Sequence, residues 1–412
     1  MTNKINFHQG NQDKFKNDNI QDQNKLEYLQ VYFEELLNTP NINFLLGSGT
    51  SVDAIPTMEK MQEKVEKEIN KDEKIKKDEE IKKEYDTLKT NDKKNLEQIL
   101  GYLYSHQEYL EASNNNNTTT HKLIKLIKKT IFTQINIDCS KDDNNIKNTR
   151  DNYKEFYQKI SRRNIDLARP NIFTTNNDLF NETAMDNLNI NYNNGFSGGL
   201  KKYFNPAQFN SVLSQKVDLN LERYQPMENL VNLYKLHGSV NWVQDENSSN
   251  KFFNIQETNP TQEINSTYNN NVLIYPTPLK QTQSLGSPYT DLLREFQKKL
   301  LLPNNVLIII GFSMRDEHIN NIIYQSLTIN ASLNIVLLAD PEKETLKSLK
   351  EINDPRIFFI WGVIKEKEKE KEKEEKIHWF KYIANTLIPN IKTDKELELL
   401  KNFNEKITKD TK

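Results

Sequence analysis

Cysteine occurs once in the 412-residue chain, at Cys139. That count excludes an intramolecular disulfide and a cysteine-held zinc site. No apolar run approaches the ~18 residues of a membrane-spanning helix. The opening residues, MTNKINFHQGNQDKF, lack the apolar core of a signal peptide. A soluble, cytoplasmic protein is the expectation. An excess of one charge is missing too: the net charge of −2 offers no whole-protein reason to bind nucleic acid. Glycine is scarce, with 11 residues against an average near ~7% of a chain, so its positions carry information. Gly47, Gly49, Gly238 and Gly311 each follow an apolar, strand-like run. Such turns call for positive φ or for close approach of the backbone to a ligand.

What is present falls into an order. Residues 1–24 are polar and unpatterned and read as an arm. Residues 25–38 carry a helical stripe of Leu26, Leu29, Phe33, Leu36 and Leu37, which closes an N-terminal unit over 1–40. The stretch 41–56, NINFLLGSGTSVDAIP, runs from a short buried strand into a glycine-rich turn. Many folds present N–H groups to a phosphate in this way. The third glycine of the dinucleotide fingerprint is absent, and Val52 stands in its place. Residues 59–164 read as a helical insertion. Its Lys-rich helix over 121–137 fits core packing with a solvated basic face better than a membrane surface.

From Asn171 onward the pattern changes to near-continuous apolar runs: NIFTT, VNLYKLHGSVNW (231–242), NNVLIIIGFS (304–313), LNIVLLAD (333–340) and RIFFIWG (356–362). Helix-compatible spacers lie at 290–301 and 316–327. Such runs alternating with helices indicate a parallel sheet covered on both faces. The segment 365–376, KEKEKEKEKEEK, reads as a solvated linker or helix. An amphipathic helix over 377–388 closes the pattern within a C-terminal unit of 365–412.

Four polar motifs sit at predicted strand ends, where ligands bind in open parallel sheets. They are GSGTS (47–51), TTNND (174–178), KLHGS (235–239) and GFSMRDEH (311–318). Gly47, Ser48, Gly49, Thr50 and Ser51 are expected around a pyrophosphate, with the next helix N-terminus favouring anions. A plain strand-to-helix turn is the alternative. His237 suits a general base, or else is a satisfied structural histidine. Asn176 can orient water and a hydroxyl together, or else shapes a turn. Ser313 to Glu317 reads as a capped helix start.

The set resembles the sirtuins: a glycine-rich turn with Ile55-Pro56, then Thr174-Thr175-Asn176-Asn177-Asp178, then His237-Gly238, then Gly311-Phe312-Ser313. The resemblance covers 41–58 and about 165–364. Through LHGSVNW (236–242) and GFSMRDEH it is most similar to sirtuin-like, NAD-consuming effectors of bacterial antiviral defence. It implies an α/β, Rossmann-like sheet with helices on both faces over 41–58 and 165–364, and the insertion at 59–164 in place of the deacylases' four-cysteine zinc module. NAD would be the substrate and no metal would be needed. Asn176, His237 and Asp178 would be catalytic, although a helix N-cap explains Asp178 equally well. Gly47, Ser48, Gly49, Thr50, Ser51, Pro56, Thr175, Gly238, Gly311 and Ser313 would surround the dinucleotide, with Asp340 at the adenine ribose.

Thr57-Met58-Glu59 follows Pro56 where deacylating sirtuins carry Asp-Phe-Arg. That departure, with the missing cysteines, shifts the expectation from deacylation toward hydrolysis of NAD itself. Constitutive NAD loss would be toxic, so a gated, homo-oligomeric antiphage effector is expected. Its activating partner would be a HerA-type ATPase/helicase or another sensor, such as an Argonaute-like protein. The alternatives are a zinc-free protein deacylase or ADP-ribosyltransferase, and a non-catalytic module that senses NAD or ADP-ribose.

Overall fold

The computed structural model describes residues 4–71, 78–90, 95–113, 118–164, 166–218, 223–245, 254–259, 270–275, 286–368 and 371–390. Residues 391–412 of the expected C-terminal unit lie outside them. The main elements begin with β1 (Lys4–Gln9), α1 (Lys25–Leu37) and β2 (Asn41–Leu46). Helices α2 (Met58–Lys71), α3 (Glu79–Thr90), α4 (Leu96–Ala112), α5 (Thr118–Ile135) and α6 (Asn144–Ile160) come next. Then follow β3 (Asn171–Thr174), α7 (Phe180–Asn187), β4 (Asn191–Asn193), β5 (Leu230–Lys235) and β6 (Gly238–Gln244). The rest comprises α8 (Tyr289–Leu300), β7 (Asn305–Ile310), α9 (Glu317–Ile329), β8 (Leu333–Leu338), β9 (Ile357–Glu368) and β10 (Lys371–Lys376).

Six of these strands lie parallel in the spatial order β5-β3-β2-β7-β8-β9. In their own chain order this is 3-2-1-4-5-6, the doubly wound order of Rossmann-like folds. The order reverses between β2 and β7, which is where such folds bind ligands. β4 adds a parallel strand beyond β5, and β1 pairs antiparallel with β9 at the other side.

The apolar runs form central strands because successive side chains enter two different cores. Phe44 and Leu46 of β2 join one core with Phe33 of α1 and Phe156 of α6. Leu45 joins the other with Phe296 of α8 and Ile319 of α9. Phe44 meets Phe156 edge-on at 5.2 Å, so α6 is seated directly on the sheet. Helices α2 to α5 contribute Met61, Val65, Ile81, Leu100 and Ile127 to the same core. A chain of asparagine amides also crosses four strands. Asn232 donates to Asn171 (3.0 Å), Asn171 to Asn43 (3.0 Å), and Asn43 to Asn305 (2.6 Å). A one-residue slip would strand these buried amides in apolar surroundings, so the ladder pins the register.

Two expectations are corrected. Residues 4–9 are a sheet strand rather than part of a polar arm: Phe7, fully buried, faces Ile360 across the antiparallel ladder. The KEKE segment is a hairpin, β9–β10, rather than a linker or helix. Its register sets Lys365 opposite Glu374, with an ion pair at 3.4 Å, because alternating charges meet their opposites across antiparallel strands. The first strand of the run 231–242 ends at the KLHGS motif, as the sequence indicates. The run breaks at Leu236–His237, and β6 continues in a second, antiparallel sheet beside Ile255–Glu257 and Asn271–Leu273.

Candidate active site

Register alone brings the four motifs together. Leu46 pairs with Thr174 on one side and Ile310 on the other, and Thr174 pairs with Lys235. The chain therefore leaves β2, β3, β5 and β7 at one level, and the polar residues that follow are neighbours at the sheet's carboxyl edge.

The glycines there serve chain packing. Gly47 has φ −105°, so positive φ is not its reason. A Cβ on Gly47 would come within 2.5 Å of Gly311 O and Phe312 Cα, and one on Gly49 within 2.7 Å of Gly311 Cα. Gly311 itself needs glycine twice over, since it has φ +65° and a Cβ would lie 2.8 Å from Thr50 N. The turn amides are spent internally: Gly49 N–H donates to Gly311 O (2.9 Å), Thr50 N–H to Gly47 O (3.0 Å) and Ser51 N–H to Ser48 O (3.2 Å). Ser48–Thr50 is a short 3-10 turn, and α2 begins only at Met58. The expectation of a helix N-terminus directly behind the glycine turn is thus corrected: the loop 51–57 intervenes.

Asn176 is the point where the glycine turn meets the TTNND loop. Its Nδ2 donates to Thr50 Oγ1 (3.0 Å), Ser51 Oγ (3.3 Å) and Tyr153 OH (3.4 Å). Tyr153, from α6, also lies 2.6 Å from Thr50 Oγ1 and 3.0 Å from Ser51 Oγ. These four buried polar groups satisfy one another and fix the plane of the amide. Thr174 Oγ1 donates to Leu46 O (3.0 Å) and accepts from Asn176 N–H (3.0 Å), which shapes the loop. Thr175 N–H donates to Leu46 O at 3.1 Å. Asp178 is buried and its Oδ1 accepts from Phe180 N–H at 3.1 Å, which shapes the turn ahead of α7, whose N-cap position is held by Leu179 rather than by Asp178. Burial raises its carboxyl above the ordinary range, against the lowering influence of Lys235, the Phe180 N–H and Ser51.

His237 is tied to the same loop through the backbone. Asn177 Nδ2 donates to His237 O (2.7 Å) and Gly238 O (3.2 Å). The ring of His237 faces His318, the second residue of α9, with their Nε2 atoms 3.3 Å apart. Gly238 has φ +76°, and the chain turns there into β6 against Val272 and Leu273, so close strand approach explains this glycine. Beneath the turn Lys235 is 1% exposed and donates to Glu182 Oε1 (2.8 Å), Ser239 Oγ (2.7 Å) and Asp178 O (2.5 Å). A buried ammonium with this many partners locks the TTNND and LHGS loops together.

The remaining expected residues lie around this centre. Ser48 and Ser313 are exposed, and Pro56 is half-buried on the loop before α2. Asp316 holds the N-cap position of α9 without a side-chain capping bond. Asp340 follows β8 and accepts from Glu342 N–H at 3.0 Å, shaping its own turn. A cavity of about 400 Å³ opens where β2, β7 and β8 end, bordered by Gly49, Thr50, Gly311 and Ala339. Among the described residues no group of three or more His, Cys, Asp or Glu side chains is placed to hold a metal ion. No helix among them is long and apolar enough to cross a membrane.

Sequence reasoning passed over Tyr153, Asn177 and Lys235. Lys235 carried a readable signal, a lone cation inside an apolar run, which demands buried partners. Tyr153 carried none, because only the packing of α6 on the sheet brings it to Asn176.

Residues 170–360 match the family model described as a SIR2-like domain. The match supports a sirtuin-like family, whose domains are NAD-dependent enzymes. It spans β3 through most of the apolar part of β9 and begins after the glycine turn of β2. No curated protein matches the chain.

Proposed function

We propose that the protein hydrolyses NAD⁺ to nicotinamide and ADP-ribose. The observation that carries this reading is the locked Asn176 amide. Its Nδ2 is committed to Thr50, Ser51 and Tyr153 at the switch point of a sheet that includes a SIR2-like match. With Nδ2 committed, Oδ1 is the group that can accept from a water or a ribose hydroxyl. Cleavage makes the ribose C1′ cationic, so positioning of water and stabilisation of the sugar lower the barrier most. The water oxygen bonds to C1′ as the bond to the nicotinamide nitrogen breaks, and nicotinamide leaves with the electron pair. The water proton passes to solvent, with His237 holding the ribose hydroxyls or serving as base.

The single cysteine supports hydrolysis over deacylation, since it cannot build a four-cysteine zinc module. We further assign the activity to a gated effector in antiphage defence, homo-oligomeric and switched on by a partner such as a HerA-type ATPase. That assignment is supported by the motif resemblance and by the toxicity of unregulated NAD loss. The test incubates the protein, alone and with that partner, with NAD⁺ and an acylated peptide, and identifies the products by chromatography. Nicotinamide plus ADP-ribose is expected, and should be lost in Asn176→Ala and His237→Ala. Acyl-ADP-ribose would move the assignment to deacylation. Tight NAD⁺ binding without turnover, even with the partner, would move it to a sensing module.

A further inference from the structure

Tyr153 lies on α6, among the helices between β2 and β3 and ahead of residue 170, where the SIR2-like match begins. Its hydroxyl nevertheless reaches the glycine turn and Asn176. Its neighbours seat it there. Phe156 meets Phe44 of β2, and Tyr157 donates to Asn181 Oδ1 of α7 at 2.7 Å. Tyr153 and Tyr157 stand at i and i+4, so both project from one face of the helix. The Tyr153 ring stacks on Phe180 of α7 with centroids 5.8 Å apart, and packs on Phe380 at 4.8 Å. The residue is fully buried.

The hydrogens of this cluster decide which end of the Asn176 amide it accepts. Thr50 has one hydroxyl hydrogen, and it goes to Gly47 O at 2.8 Å. Tyr153 is therefore the donor in its 2.6 Å contact with Thr50 Oγ1. Burial raises the Tyr153 phenol above its ordinary range, and the Asp178 charge acts in the same direction, so the hydroxyl keeps that hydrogen near neutral pH. Ser51 has two acceptors for its one hydrogen, Tyr153 OH at 3.0 Å and the Asp178 carboxyl. The three oxygens thus offer the amide lone pairs rather than hydrogens. The end that fits is Nδ2, at 3.0 Å from Thr50 Oγ1 and 3.3 Å from Ser51 Oγ. A flipped amide would set Oδ1 against oxygens whose hydrogens are already committed, which is costly in a buried cluster. Thr50 and Ser51 belong to the glycine turn itself, whereas Tyr153 reaches it from a separate helix.

We propose that Tyr153 is a positioning residue for the reaction: its hydroxyl, donated to Thr50, holds the Asn176 amide with Nδ2 inward and Oδ1 toward the substrate. Removing that hydroxyl takes a donor from Thr50 and an acceptor from Ser51 and Asn176. The amide then gains room to turn, and the fraction of molecules with Oδ1 in place falls. The helices between β2 and β3 thus reach the reaction through one buried side chain that acts on Asn176. The proposal rests on the NAD⁺ reading of the site, and one of its two tests needs no turnover.

The first test compares Tyr153→Phe with wild type in the full chain, alone and with the proposed partner. kcat for nicotinamide release should fall about 10-fold while KM for NAD⁺ stays within about twofold, since the ring and its packing remain. In an Asn176→Ala background the same change should leave the residual rate unaltered, because Tyr153 acts through that amide. A lowered urea midpoint with unchanged kcat per folded molecule would mark a merely structural tyrosine and overturn the proposal. Equal losses in the two backgrounds would also overturn it.

The second test is side-chain amide hydrogen exchange by NMR, with the Asn176 resonance assigned by its loss in Asn176→Ala. In wild type the Nδ2 hydrogens should exchange at least roughly 10-fold more slowly than those of exposed asparagines, and Tyr153→Phe should speed them up. Wild-type exchange as fast as that of exposed asparagines would overturn the proposal without any variant. If Tyr153→Phe speeds the exchange and wild type never releases nicotinamide, the hydrolase reading fails and the hold of Tyr153 on the amide stands. If NAD⁺ is hydrolysed by Tyr153→Phe with unchanged kcat, this inference fails and the hydrolase reading stands.

Discussion

The Nε2 atoms of His237 and His318 face each other at 3.3 Å, with their rings tilted by 32°. A hydrogen bond at that distance requires one of the two nitrogens to carry the proton and the other to present a lone pair. His318 therefore influences which tautomer His237 presents and where its ring points. His237→Ala should lower kcat for NAD⁺ hydrolysis by about 10²–10⁴-fold, the usual span for a lost acid–base group. His318→Ala should lower it by about 10-fold through misplacement of the neighbouring ring. His318→Gln, which keeps a donor and an acceptor, should recover part of that. Full activity in His318→Ala, with an unaltered pH–rate profile, would show that the contact does not serve the reaction.

Gly47 should not accept a side chain. A Cβ there would press on Gly311 O and Phe312 Cα, both backbone atoms that cannot swing aside. Gly47→Ala should cost about 2–4 kcal/mol of stability, in the range of overpacked or strained sites. Gly199, whose added Cβ would meet nothing within 4 Å, is the control. Gly199→Ala should leave the urea midpoint almost unchanged.

Lys235→Met should destabilise the fold by about 3–5 kcal/mol, because Glu182 would be left buried without its cation. The two side chains are 1% and 9% exposed and paired at 2.8 Å. Adding Glu182→Gln should return much of the loss, and equilibrium unfolding in urea measures both steps. Equal stability of the single and double variants would remove the ion pair as the cause.

Acid should weaken the folded state through His378. Its folded value of about 4 lies below its ordinary 6.5, chiefly from burial, with Lys343 and Lys376 adding to the shift and Asp340 opposing it. Between those values the unfolded chain binds the proton and the folded chain does not. The stabilisation is therefore full above pH 6.5 and is lost as the pH falls toward 4. From pH 7 to pH 5 the loss should be about 2 kcal/mol. His378→Phe should flatten that part of the curve. Asp178 acts with the opposite sign, since its raised carboxyl favours the folded state below its unfolded value and loses that contribution as the pH rises. Comparing wild type with the His378 variant isolates the imidazole.

Much of the fold was legible because it depends on local patterns. The runs NINFLL and NVLIII announce strands buried on both faces, and both occupy the centre of the sheet. β1 was not legible. KINFHQ is short and mixed, and it becomes a strand only because β9 offers it an antiparallel edge. The KEKE segment misled for a related reason. Its alternation fits a solvated chain as well as a strand, and only its fold back on itself pairs Lys365 with Glu374.

By itself the sequence determined the order of the strands, the positions of the scarce glycines and the four polar motifs at strand ends. These follow from hydrophobic period and turn chemistry, which act over a few residues. What those glycines are for was decided only by tertiary structure. Gly47 and Gly311 are 264 positions apart by number yet adjacent in space, and their lack of side chains lets two backbones pass. The partners of Asn176 were decided in the same way, since Thr50, Ser51 and Tyr153 reach it from β2's turn and from α6. Hydrogen bonds between such distant side chains leave no periodic trace in the chain. They exist because register aligns Leu46, Thr174, Lys235 and Ile310 in one row.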